Sequence, residues 1–201
     1  MTARRVHGET TKSPRRFRNP QDGNWYVQLT LGDAYVTSEA DEVLTTILGS
    51  CIATCVRDPQ SGIGGMNHFL LPDSTGTDRD SRCYGVNAME LLINSILKQG
   101  GDRNVLEAKI FGGANVVAAL SDVGSRNATF AKRFLTDEGI TIVGIDVGGN
   151  AARKIQYSPR SGKAQRFLVR DTARQLVEQE LRASRAPVAQ PESSDVEFFD
   201  G

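Results

Sequence analysis

The run TTILGSCIATCVRDPQSGIGGMNHFLLP, residues 45–72, constrains the fold of this chain more than any other stretch. Two segments rich in apolar and β-branched residues flank DPQSG, a cluster of turn formers, and read together as a β-hairpin. CIATCVR is the outgoing strand and GIGGMNHFLL its return. With Asp58, Pro59, Gln60 and Ser61 as the loop, Arg57 faces Gly62 and Cys51 faces His68. Directly opposed residues hold their Cβ atoms about 4.5–5.5 Å apart on one face of a sheet. A bulge at Gly64 or Gly65 would shift this register by one and turn His68 to the other face.

The rest of the chain supplies more strands than helices, and the strands come in runs. WYVQ alternates from Trp25 and opens a strand, and VLTTIL (43–48) forms another, closed by Gly49 and Ser50. LEAKIF (106–111), ITIVGIDV (140–147), RKIQY (153–157) and QRFLVR (165–170) follow, with SPRSG as a hairpin loop between the last two. Helical spacing predicts three helices. Met89, Leu92, Ile93 and Ile96 share a face in YGVNAMELLINSILKQGG, which Gly100 terminates. RNATFAKRFLTDEG is capped by Asn127 and ended by Gly139, and DTARQLVEQELRAS carries Leu176, Val177 and Leu181 on one face. Runs of strands with segregated helices point to the α+β class.

Composition bounds the organisation. At 201 residues there is room for one domain with tails. We expect a flexible basic arm over 1–23, a single domain over 24–185 and a disordered acidic tail over 186–201. Lys plus Arg and Asp plus Glu both number 24, so global charge predicts no nucleic-acid or membrane partner. No stretch approaches the roughly 18 apolar residues of a membrane-spanning helix, and no apolar run follows the basic N-terminus. The odd cysteine count, 3, fits a reducing cytoplasm better than a disulfide framework.

The residue types at Cys51 and His68 suit nucleophilic chemistry. A free thiol titrates near about 8.5, and an adjacent imidazolium favours the thiolate that attacks an acyl carbon. Histidine then protonates the leaving group. Gly49 and Ser50 let the chain turn sharply, presenting N–H groups near Cys51 to an oxyanion. Spacing alone leaves alternatives open: a structural thiol beside a core histidine remains the default, and Cys55 shares the face of Cys51. Cys83 carries no partner signal. A zinc site built from Cys51, Cys55, Cys83 and His68 fails on distance, because cysteines four apart on a strand are separated by roughly 13 Å. FGGAN (111–115) and DVGGN (146–150) lack the lysine and hydroxyl of a phosphate loop, so tight turns or close backbone approach explain them better.

LGSCIATCVRDPQSGIGGMNHFLLP resembles the signature of the CheD family of chemoreceptor glutamine deamidases. YGVNAMELLINSILKQGG, LEAKIFGGAN, RNATFAKRFLTDEGI, DVGGNAARKIQY and SGKAQRFLV extend the likeness in order over roughly 25–170. The resemblance implies a layered sandwich of mixed β-sheets flanked by α-helices, like the cytotoxic necrotizing factor-type cysteine hydrolases. It also implies hydrolysis of receptor glutamine side chains to glutamates that a methyltransferase can modify. Cys51 matches the family's nucleophile, His68 its histidine, and Thr45 its third member, with Thr46 the competing choice. Gly49, Ser50 and Asn67 are the expected oxyanion and site-shaping residues, and no cofactor or metal is implied. The implied partners are cytoplasmic domains of chemotaxis receptors and a CheC-type phosphatase. A non-catalytic module binding such a phosphatase is the alternative reading. A nucleic-acid binder using the basic arm is the third, although the domain lacks clustered aromatics and bases.

Overall fold

The computed structural model describes residues 4–5, 14–71, 78–116 and 121–169. Among these residues, eleven strands and two α-helices follow in order as β1 (Arg4–Arg5), β2 (Arg15–Arg18), β3 (Trp25–Gln28), β4 (Ala34–Thr37), β5 (Glu42–Leu48), β6 (Ile52–Arg57), β7 (Gly64–Phe69), α1 (Asp78–Lys98), β8 (Glu107–Gly112), α2 (Ser121–Asp137), β9 (Thr141–Val147), β10 (Ala152–Ser158) and β11 (Lys163–Val169). One sheet has the order β1-β4-β7-β6-β8-β9 and the other β11-β10-β5-β3-β2. Both are mixed: β8 with β9 and β3 with β5 run parallel, while the remaining pairs are antiparallel. The α+β expectation is met.

Period-two alternation sorts the side chains into two apolar layers. Ile52 and Val56 of β6 and Phe69 of β7 pack with Met89, Leu92 and Ile96 of α1 and Ala131 and Leu135 of α2. Ala53, Cys55 and Met66 point the other way, against Leu44, Leu48, Ile155 and Tyr157 of the second sheet. Both described helices therefore cover one face of the first sheet, and the second sheet closes the other. No helix among the described residues is long and apolar enough to cross a membrane. The helix expected in 171–184 and the tail over 186–201 lie outside the described residues.

The central hairpin forms, but its register differs from expectation by two. The ladder runs without interruption from Ile52↔Phe69 through Ala53↔His68 to Arg57↔Gly64. Asp58 belongs to this ladder and not to the loop: its N–H donates to Ile63 O at 2.8 Å. Its carboxylate accepts from the N–H groups of Gln60 and Ser61, so the turn begins after it. Gly62, at φ +73, supplies the left-handed residue that closes the turn. The loop is thus Pro59–Gly62, one position later than expected. Moving the loop by one moves every partner by two, which preserves the face of each side chain. His68 is opposed by Ala53 instead of Cys51, yet all three share one face.

Order also begins earlier than expected. The basic run Arg15–Arg18 is β2, paired antiparallel with β3, and Arg4–Arg5 pairs with β4. Phe17 stacks on Tyr26 with centroids 5.7 Å apart. Arg16 lies over the Trp25 ring at 4.4 Å and reaches the buried carboxylate of Glu42 at 2.9 Å. Arginine stems cover an apolar surface while their charges remain satisfied, which is why a basic segment can be an edge strand.

Candidate active site

Residues 49–51 are the corner at which the chain leaves the second sheet, at the end of β5, and enters the first, at the start of β6. Such a crossover needs a sharp bend, and Gly49 and Ser50 provide it. Cys51 sits just before β6, two residues from Ala53, and so occupies the diagonal position to His68 on the layer between the sheets. Cys51 and His68 are both buried.

The corner's carbonyls are held one by one. Ala114 N–H donates to Gly49 O at 2.7 Å, and Gly113 N–H to Cys51 O at 2.8 Å. Asn127 Nδ2 donates to Ser50 O at 2.9 Å while its Oδ1 accepts from Leu71 N–H at 2.9 Å. In a trans peptide the N–H points opposite to the preceding C=O. Fixing the carbonyls of Gly49 and Ser50 therefore aims the N–H groups of Ser50 and Cys51 away from residues 113–127. Asn127 is not the helix cap it was expected to be: α2 starts at Ser121, and Asn127 lies in its middle, fully buried. Its role in the corner is one that sequence reasoning missed, since a buried mid-helix asparagine and a capping one look alike in sequence.

FGGAN shows the close backbone approach anticipated for it. Gly112 has φ +113, and a Cβ there would stand 2.1 Å from Cys51 O. Gly112→Ala is expected to destabilise the protein by about 3 kcal/mol through backbone strain and overpacking, read as a lower urea midpoint. It should also displace the Cys51 corner and lower activity.

His68 is fixed through backbone and ring. Its N–H donates to Asp33 O at 2.9 Å, and its carbonyl accepts from Gly32 N–H at 2.8 Å. Its Nδ1 lies 2.9 Å from Thr46 Oγ1, whose hydroxyl donates to Leu29 O at 2.9 Å. A carbonyl can only accept, so the threonine proton is committed to Leu29 and Nδ1 must carry the proton in the pair. That tautomer leaves the lone pair on Nε2. The turn after β3, LTLGD, thus positions the histidine, another contribution not visible from motif spacing.

Two expected site residues lie elsewhere. Thr45 does not meet His68: it points to the opposite face of β5, and its hydroxyl donates to Ile155 O at 2.9 Å. Thr46, on the face of Leu44 and Leu48, takes the place at the imidazole. Asn67 alternates away from His68 and faces the helices, where Nδ2 donates to Ala88 O at 3.0 Å and Oδ1 accepts from Thr54 N–H at 3.0 Å. It ties β6 and β7 to α1 and does not line the site. Thr46→Val should cut activity about 10- to 100-fold, the usual effect of losing a group that orients a functional imidazole. Thr45→Val should cost little activity, and kcat measured on both variants separates the two threonines.

The remaining cysteines sort by environment. Cys55 is buried opposite Met66, and burial pushes its thiol well above the ordinary range, against a smaller opposing effect of Lys109. It stays protonated and packed. Cys83 on α1 is exposed. Its neighbour Tyr84 lies close enough to Cys51 to sense its charge: burial raises the phenol pKa, and negative charge on Cys51 raises it further. A groove of about 760 Å³ runs beside α2, lined by Leu71, Val86, Phe130 and Phe134 among others, but neither Cys51 nor His68 lines it.

Residues 70–166 match the family model described as CheD chemotactic sensory transduction. A protein of Caulobacter vibrioides (strain NA1000 / CB15N) named "Probable chemoreceptor glutamine deamidase CheD" is 52% identical over 176 residues, covering 86% of this chain and 92% of its own. A Rhizobium meliloti (strain 1021) protein of the same name is 49% identical over 176 residues, covering 86% of this chain and 95% of its own. Among solved structures, Bacillus licheniformis hypothetical protein YfiH matches with a TM-score of 0.39 at 14% identity, over 70% of this chain and 62% of that one, a likeness too slight to argue from. With relatives 52% and 49% identical across 86% of its length, the chain belongs to the CheD family.

Proposed function

We propose that this chain hydrolyses glutamine side-chain amides on the cytoplasmic domains of chemotaxis receptors, giving glutamate and ammonia. Cys51 Sγ attacks the amide carbon, forming the C–S bond, and the N–H groups of Ser50 and Cys51 receive the oxyanion. His68 Nε2 takes the thiol proton and passes it to the departing nitrogen as the C–N bond breaks. Water, deprotonated by His68, then cleaves the thioester, releasing glutamate and restoring the thiol. Thr46 holds the imidazole in the tautomer this sequence requires.

The observation that carries the reading is the relay from Leu29 O through Thr46 Oγ1 to His68 Nδ1, on the face that Cys51 shares. An imidazole held in one tautomer, on the face that Cys51 shares, is suited to carry a proton for that thiol. The cysteine on a sheet-to-sheet corner, beside a histidine on the adjoining strand, also supports the kinship with cytotoxic necrotizing factor-type hydrolases. The same reading assigns the protein to the cytoplasm and a CheC-type phosphatase as a regulatory partner. Incubation with a receptor cytoplasmic fragment should release ammonia and add about 1 Da at each modified glutamine by mass spectrometry. Wild-type protein that leaves the fragment's mass unchanged would overturn it.

A further inference from the structure

The most deeply placed cation among the described residues of the second sheet is Arg153, 3% exposed, on β10. It opposes Leu48, the last residue before the Gly49–Cys51 corner. Leu48, Thr46 and Ile155 point between the sheets, so Arg153 does too. A buried arginine is costly, and an apolar residue of similar volume is often the more stable choice. Stability alone is therefore a poor account of its presence.

Its hydrogen bonds go to one turn. Nη1 donates to Asp146 O at 2.7 Å and pairs with the Asp146 carboxylate, and Nη2 donates to Gly148 O. Asp146 is held from its other oxygen by Arg166 at 3.1 Å. Gly148 and Gly149 have φ +82 and +76, a left-handed pair that lets the turn wrap the guanidinium. That turn grips the FGGAN strap: Gly148 N–H donates to Gly112 O at 2.9 Å, and Gly149 O accepts from Asn115 N–H at 2.7 Å. The strap in turn holds Gly49 O and Cys51 O through Ala114 and Gly113. A continuous series of hydrogen bonds thus runs from one planar side chain to the peptide planes beside the nucleophile.

We propose that Arg153 is a positioning residue: by clamping the Asp146–Gly149 turn, it fixes the strap that orients the Ser50 and Cys51 N–H groups toward the oxyanion. This rests on the deamidase reading and deepens it. The planar fork is essential, because one guanidinium reaches both Asp146 and Gly148, whereas an ammonium is a point donor. Loosening the strap should harm the step in which negative charge develops on oxygen, while leaving thiol ionisation and remote receptor contacts as they are.

Arg153→Lys tests this, since it keeps the charge and most of the volume; it carries the test if Arg153→Ala does not fold. In a Cys83→Ser background, kcat for ammonia release should fall about 10- to 100-fold, with KM within about twofold. Alkylation of Cys51 by iodoacetamide passes through no oxyanion, so its rate against pH should match wild type. Amide exchange at Gly113 and Ala114 should accelerate. Unchanged kcat, or exchange at Gly113 and Ala114 as slow as in wild type, would overturn the proposal. So would equal losses of kcat and alkylation rate, which mark general loosening. If wild-type protein released no ammonia, the deamidase reading would fall by itself, and the amide exchange would still decide whether Arg153 holds the strap.

Discussion

Cys51→Ala is expected to reduce ammonia release from a receptor cytoplasmic fragment to the background rate. The corner at 49–51 holds no second thiol to replace the lost sulfur, and the Ser50 hydroxyl is a far weaker nucleophile than a thiolate. Cys55 lies deep in the layer between the sheets, where burial keeps its thiol protonated, and Met66 stands opposite it. The variant should fold, because removing one sulfur from a corner held by backbone carbonyls disturbs none of those bonds. A urea midpoint close to wild type, together with absent activity, identifies Cys51 as chemical and not structural. Activity equal to wild type would remove Cys51 from the mechanism.

The second large effect is expected at the histidine. In His68→Asn, the side-chain amide can stand roughly where Nδ1 was and still meet Thr46, while nothing remains at the position of Nε2. The fold and the Thr46 hydroxyl are thus preserved as the proton carrier is deleted. Loss of a general acid–base group costs about 10²- to 10⁴-fold, and kcat should fall by an amount in that range. The rate should also lose the dependence on pH that a titrating imidazole imparts, since amides do not titrate. A variant retaining the wild-type rate and pH profile would show that His68 only packs between the sheets.

The hairpin shows how far periodicity reaches and where it stops. Alternation placed Cys51 and His68 on a common face, and the face survived a register displaced by two. What alternation could not supply was which residue opens the turn. That depended on the Asp58 carboxylate accepting from Gln60 and Ser61, and on the left-handed Gly62. The threonines illustrate the same limit. Motif spacing favoured Thr45, but the parity of β5 within its sheet turns Thr46 inward and Thr45 outward. Asn127 was legible as a polar residue at a helix, while its hold on Ser50 O depends on how α2 lies across the first sheet.

Taken alone, the sequence determined the α+β class, the hairpin, and the family through its ordered motifs, because each of these is written in residues close together along the chain. It also singled out a thiol and an imidazole 17 positions apart as the pair to watch. Only the tertiary structure decided which threonine touches that imidazole, which tautomer it holds and what grips the corner around Cys51. Those outcomes depend on β3, β5, β8, α2 and the turn after β9 meeting at one place, contacts between segments up to about a hundred residues apart, and no local pattern encodes such a meeting.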